Sequence, residues 1–211
     1  MWPTLIRSLD DATRRRLEAA VTPKSFAPGR SLFREGEVGD SVYIVETGHL
    51  LVERVTENGD VVAVGVVRPG EIVGEQALVS NAPRMASVRA ITAVEGWTLH
   101  RSAFDEARRD HPALDRLLIQ LLDARVRSLH ELVSEARHVP VEQRLRRRLV
   151  ALSECFDREI PLTQETIATM TGATRPTVNA FLQRLRAEGT VELHRGRITV
   201  HHPEYLENGL V

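Results

Sequence analysis

Cysteine is nearly absent from this chain. One residue, Cys155, in 211 rules out a disulfide framework, a thiolate zinc site and a cysteine-ligated iron–sulfur cluster. No metal is expected, and a reducing cytoplasm is the expected setting. Long apolar runs are also missing: nothing approaches the roughly 20 residues that a membrane-spanning helix needs. The start, Met1-Trp2-Pro3, lacks the basic and apolar regions of a secretory signal. An excess of either charge is absent too, with 28 basic against 29 acidic residues. That balance argues against a protein that binds polyanions over its whole surface. What remains is ordinary for a soluble globular protein: 42% hydrophobic and 27% charged residues, enough chain for one large domain or two small ones.

Three textures follow one another. Residues 13 to 21 read as a short amphipathic helix with Leu17 and Val21 inward and Arg14, Arg15 and Arg16 outward. From about Phe26 to Leu99 the pattern is β-type, with runs at 42–45, 50–52, 61–67 and 86–94 bounded by Gly, Pro or Asn. Strands at this spacing point to a sandwich or barrel. Asn58-Gly59 predicts a type I′ hairpin, whose two central residues both take φ > 0. After Pro112 the period becomes helical. Leu114, Leu118, Leu122, Val126, Leu129, Val133 and Ala136 form one stripe, edged by Leu117, Leu121 and Leu132. Such a helix is either a buried core helix or a dimer seam; the length of the stripe favours the seam. Pro140 ends it, and a small α domain with a β tail follows. From 138 onward there are 10 basic against 9 acidic residues and four histidines.

Residues 164–183 carry the sharpest signal, a helix-turn-helix. Ala168 is the small residue needed where the two helices cross, and Gly172, four positions on, can take the left-handed conformation of the turn. Val178, Phe181, Leu182 and Leu185 bury the second helix against the first. Thr163 and Thr174 are the expected N-caps, and Pro176 falls in a first turn, where its missing N–H is harmless. Arg175, Thr177, Asn179, Ala180 and Gln183 then face outward. Arg, Asn and Gln are the side chains that contact guanine and adenine bidentately in the major groove. Val191 to Val200 reads as two strands around Gly196, a wing that offers Arg195 and Arg197 to flanking phosphates. The DNA-contacting set is Thr163, Gln164, Thr174, Arg175, Thr177, Asn179, Gln183, Arg195 and Arg197.

Residues 70–90 place Gly74, Glu75 and Arg84 between strands. A helical turn starting at Gly74 would offer free N–H groups to an anion, and an inward Arg84 could neutralise a phosphate. A structural Glu75–Arg84 salt bridge explains the same spacing equally well.

The motif Phe33-x-x-Gly36-Glu37-x-Gly39-Asp40-x-x-Tyr43, continued to Gly48, and Gly74-Glu75-x-Ala77-Leu78 with Pro83-Arg84-x-Ala86-Ser87-Val88 closely resemble cyclic-nucleotide-binding domains. With the helix-turn-helix behind them, residues 5 to 205 resemble the Crp/Fnr family of bacterial transcription regulators. The resemblance implies an α+β fold: a β-roll (double-stranded jelly roll) over residues 1–112, a long dimerisation helix over 113–137 and a winged helix-turn-helix over 138–211. It implies a homodimer on a two-fold symmetric DNA site and an allosteric effector, cyclic AMP first and cyclic GMP second. Carried over by position, Arg84 holds the cyclic phosphate, Glu75 a ribose hydroxyl, and the backbone at Gly74, Ala77 and Met85 the phosphate oxygens. Leu129 and His130 stand where the family's bacterial type member reads the adenine edge with Thr and Ser. Met85 replaces that member's serine, and Gln76 a usual leucine. Pro176 and Ala180 replace its recognition glutamate and second arginine, so a different operator is expected. Activation would require a surface for RNA polymerase, which no spacing rule identifies.

Enzymatic chemistry is not expected. Residues 138–211 carry no nucleophile–base pair, metal cluster or phosphate loop, and the paired carboxylates at Asp10-Asp11, Glu35-x-Glu37 and Asp105-Glu106 read as surface. A regulator of the same fold that needs no effector, or that answers to a ligand other than a nucleotide, is the alternative.

Overall fold

The computed structural model describes residues 9–207. The chain divides into two compact units, one running to Ser128 without residues 62–64, the other formed by Val62–Val64 and everything from Leu129 onward.

The first unit opens with α1 (Asp11–Ala20). Asp10 caps it, accepting from the amides of Ala12 at 3.0 Å and Thr13 at 2.9 Å. The Thr13 hydroxyl, buried, also donates to Asp10 at 2.6 Å and meets His111 Nδ1 at 2.9 Å. These bonds start the helix two residues before the expected position. Val21 does not face in from the helix: it opens β1 (Val21–Phe26) and pairs with Leu99.

The strands that follow are β2 (Ser31–Phe33), β3 (Ser41–Thr47), β4 (Leu50–Val55), β5 (Val61–Val67), β6 (Ile72–Val73), β7 (Ser87–Ala90) and β8 (Val94–His100). They form two antiparallel four-stranded sheets, in the orders β1-β8-β3-β6 and β2-β7-β4-β5. The apolar run at 86–94 is therefore two strands in different sheets, separated by a turn in which Ile91 N–H donates to the His49 carbonyl. At 56–60 the turn is not type I′. Gly59 has φ 85, but the only described non-glycine residues with positive φ are Asp157 and Arg158. Asn58 thus keeps negative φ, and the Gly59 amide closes the turn on the Thr56 carbonyl at 2.9 Å. The Thr56 hydroxyl accepts from Asp60 N–H at 3.1 Å, a side-chain bond that a two-residue loop would not accommodate.

Strand β3 is buried on both faces. Its period of two sends Val42 and Ile44 one way and Ser41, Tyr43 and Val45 the other. Val42 and Ile44 join Leu17 of α1, Leu99 of β8, Phe104 and Ala107 of α2 (Arg101–Asp110), and Leu114, Leu117 and Leu118 of α3 (Ala113–His138) in one core. Burying each large apolar side chain contributes about 1.5–3 kcal/mol. Leu121 and Leu122 still pack against this core; beyond them the stripe on α3 leaves it, with Val126 49%, Leu129 48% and Val133 55% exposed, and Ile119, beside the stripe, is 66% exposed.

The second unit contains α4 (Val141–Cys155), β9 (Glu159–Ile160), α5 (Gln164–Thr171), α6 (Arg175–Ala187), β10 (Val191–His194), β11 (Arg197–Val200) and α7 (Pro203–Glu207). Its core joins Leu145, Leu149 and Leu152 of α4 to Ile167 and Ala168 of α5 and to Val178, Phe181, Leu182 and Leu185 of α6. The three short strands form an antiparallel sheet in the order β10-β11-β9. Val191, Ile198, Val200 and Ile160 lie on its buried face; Glu192, His194, Arg197, Thr199 and Glu159 lie on the other. No helix among the described residues is long and apolar enough to cross a membrane.

Candidate anion pocket and nucleic-acid interface

Arg84 anchors the first candidate site. It is 8% exposed and lies over the Phe33 ring with its guanidinium carbon 4.1 Å from the centroid. Nη2 donates to the Ser41 carbonyl at 2.7 Å, and Nη1 to the Gly74 carbonyl at 3.2 Å. Nε is buried with no hydrogen-bond partner. Burial pulls the guanidinium pKa down, against the charges of Tyr43, Asp40 and Glu37, which raise it. Burial also pushes the Tyr43 hydroxyl pKa up. The Glu75–Arg84 salt bridge that the spacing allowed does not form; the arginine turns to backbone carbonyls instead.

Gly74 explains the close approach. A Cβ there would stand 2.5 Å from Arg84 Nη1, and its φ of 83 is unfavourable for any side chain. Gly74 starts a 3₁₀ turn over Glu75–Leu78, with Glu75 half-buried and Ala77 buried. Met85, next to Arg84, is 56% exposed. A buried cation with one unpaired N–H beside a glycine-started turn fits an anion, and a phosphate is an anion that takes several such donors at once. Among the described residues, no group of three or more His, Cys, Asp or Glu side chains could hold a metal.

Sequence reasoning missed Arg101, at the start of α2. Its side chain donates to the carbonyls of Ala77, Gly39 and Ser80, tying the 38–41 and 74–80 loops together. These partners lie more than 20 positions away in sequence, so no local spacing announces them. Gly74, Glu75, Ala77, Arg84 and Met85 lie in this one region of the first unit. Leu129 and His130 belong to the second unit, both exposed on α3.

The second candidate site is built from α5, α6 and the wing. Thr163 caps α5 by accepting from Thr166 N–H at 3.1 Å, and Thr174 caps α6 by accepting from Thr177 N–H at 3.3 Å. Pro176 sits in the first turn of α6. Gly172, with φ 61, closes α5, and Ala173 N–H reaches back to the Ala168 carbonyl. Phe181 lies between Arg146 and Arg184, each with its guanidinium carbon 5.6 Å from the ring centroid. Glu142 accepts from both arginines, at 3.1 and 2.8 Å, and so fastens α6 to α4. Desolvation raises the Glu142 pKa, but hydrogen bonds from Arg184 and Arg146 outweigh it and hold the carboxyl below its usual range.

Thr163, Gln164, Arg175 and Arg197 line one groove of about 430 Å³, together with Glu165, Leu193, His194 and Gly196. Thr174, Thr177, Asn179 and Gln183 are exposed along α6, and Arg195 is exposed at the wing tip. A helix N-terminus, a basic wing and free amide side chains on one helix suit the phosphates and base edges of duplex DNA.

Comparison with known proteins agrees. The cyclic nucleotide-binding domain matches residues 23–111 and the Crp-like helix-turn-helix domain residues 143–208. A CRP-like cAMP-activated global transcriptional regulator of Mycobacterium tuberculosis is 27% identical, covering 90% of this chain and 88% of that protein. The HTH-type transcriptional regulator Cmr of the same species is 30% identical, covering 82% and 69%. Among solved structures, a Crp/Fnr-family regulator from Eubacterium rectale superposes with a TM-score of 0.80 at 17% identity, covering 98% of this chain and 97% of that one. The chain belongs to the Crp/Fnr family: it is a DNA-binding transcription regulator with a cyclic-nucleotide-binding domain, and not an enzyme.

Proposed function

We propose that this regulator acts as a homodimer paired through the helix at 113–137, that a cyclic nucleotide in the β-roll of residues 1–112 is its effector, and that the winged helix-turn-helix of 138–211 reads a two-fold symmetric operator. Cyclic AMP is the first candidate and cyclic GMP the second; the cAMP-activated relative from M. tuberculosis supports that order. The observation that carries the effector is Arg84, buried beside Gly74 with Nε unpaired. Arg84 would take the cyclic phosphate, Glu75 the ribose hydroxyl, and the backbone at Gly74, Ala77 and Met85 the remaining phosphate oxygens.

Pairing is supported by α3. Ile119, Val126 and Val133 recur every seven residues, with Leu122, Leu129 and Ala136 three positions after each. β-Branched residues at one heptad position and leucine at the other favour a parallel two-stranded coil. Two such chains present two copies of α6, and Arg175, Thr177, Asn179 and Gln183 would select bases while Thr163, Gln164, Thr174, Arg195 and Arg197 hold phosphates. For the effector to act, it must favour one of two arrangements of the DNA-reading helices. The joint at His138–Pro140, between α3 and α4, would be the hinge. Activation would add RNA polymerase as a partner.

A second reading keeps the fold and removes the effector. It is favoured by the bonds from Arg84 to the Ser41 and Gly74 carbonyls and by its stacking on Phe33, which hold the arginine without a ligand. Calorimetry with cyclic AMP and cyclic GMP separates the two. Heat from either nucleotide with wild type, lost in Arg84→Ala, is the expected result. No heat from both leaves the effector-free reading.

A further inference from the structure

Two arginines assigned above to the DNA interface are already paired with carboxylates of the same unit. Arg197 Nε lies 3.1 Å from Glu159 Oε2, and Thr199 Oγ1 donates to Glu159 Oε1 at 2.8 Å. Register explains the arrangement. Glu159 on β9 sits directly opposite Thr199 on β11, and Arg197 is two residues from Thr199 on the same face. Both oxygens of Glu159 are thus used, and the carboxylate is held in place rather than left to sample solvent. Arg175 Nε lies 3.8 Å from Glu165 Oε2, a looser pair in which both side chains are more exposed.

We infer that Glu159 acts as an internal stand-in for DNA phosphate and sets the electrostatic part of DNA affinity at the wing. To engage a phosphate, Arg197 must give up Glu159, and the carboxylate then remains beside the incoming polyanion. DNA binding at the wing becomes an exchange of one oxyanion for another rather than a gain of a new ion pair. The sequence-independent share of affinity falls, because that share comes from arginine–phosphate contacts. Contacts from Thr177, Asn179 and Gln183 of α6 to base edges are untouched, so a larger part of the binding energy depends on sequence. Glu159 is on this account a specificity-determining residue that touches no base.

The inference rests on the DNA-facing assignment of Arg197, and the test keeps the two apart. Binding of a labelled random-sequence duplex is measured by anisotropy across a salt series for wild type, Glu159→Gln, Arg197→Gln, the double variant and Glu154→Gln, which removes one exposed carboxylate from α4. Far-UV circular dichroism confirms that each variant is folded. Arg197→Gln weaker than wild type upholds the interface; equal affinity overturns that assignment and the inference with it. Glu159→Gln is expected to bind about two- to fivefold tighter at low salt, the size of an exposed pair, with a salt slope steeper by up to about one. The gain should vanish in the Arg197→Gln background. A Glu159→Gln affinity equal to or below wild type overturns the inference. So does a gain that persists without Arg197, or one that Glu154→Gln reproduces.

Discussion

Arg84 is costly to bury and is nevertheless buried, with three of its contacts made to two backbone carbonyls and a ring. An anion bound there would relieve the unpaired Nε. Inorganic phosphate at millimolar concentration should therefore raise the melting temperature of wild type and leave that of Arg84→Met unchanged in differential scanning calorimetry. Equal shifts in both proteins would place the anion elsewhere. Gly172 makes a different demand. A Cβ would meet only Arg144 Nη2, at 3.9 Å, so space is available and the φ of 61 is the whole constraint. Gly172→Asn should be tolerated, whereas Gly172→Val should cost about 1–2 kcal/mol in urea unfolding. Equal costs would mean that crowding rather than backbone conformation holds that turn.

Among the elements, α6 is the one whose position matters most, and it is set by packing and by the Glu142 cluster. The Glu142 carboxyl is held below its usual range by Arg184 and Arg146 despite desolvation. A lowered folded-state pKa contributes stability that is complete above the unfolded pKa, near 4.5, and is lost as pH falls through the folded value. Wild type should thus melt higher than Glu142→Gln at pH 7, and the gap should close as pH falls below about 4.5. A gap that stays constant with pH would show that the bridge to α4 does not depend on charge. Helices α5 and α6 were legible in the sequence because they depend on local signals: Thr163 and Thr174 as caps, Gly172 in the turn, Val178 and Phe181 at helical spacing. The β region was legible as strands but not as sheets. Neighbours such as β1 and β8 are separated by most of the first unit, and nothing local to Val21 announces Leu99. The same limit hid Arg101, Glu142 and Glu159, whose roles come from partners distant in the chain. At Arg84 the spacing left two readings, and only the direction of the guanidinium chose between them.

For the molecule as a whole, α3 leaves Ile119, Val126, Leu129 and Val133 of one chain exposed on a single helix. Val133→Glu should yield monomers in sedimentation velocity and bind a palindromic site at least about tenfold more weakly, because two half-sites are no longer engaged together. A dimeric Val133→Glu would place the seam elsewhere. The proposed pairing through α3 also has a genetic consequence, because its seam and the DNA-reading surface lie on different elements. A chain with Arg175 and Asn179 replaced still carries Ile119, Val126 and Val133, and would still pair. Co-expressed in equal amounts with wild type, it leaves only about a quarter of the dimers with two intact recognition helices. Alleles damaged in α6 should therefore be dominant over wild type, while alleles damaged in the α3 seam should be recessive.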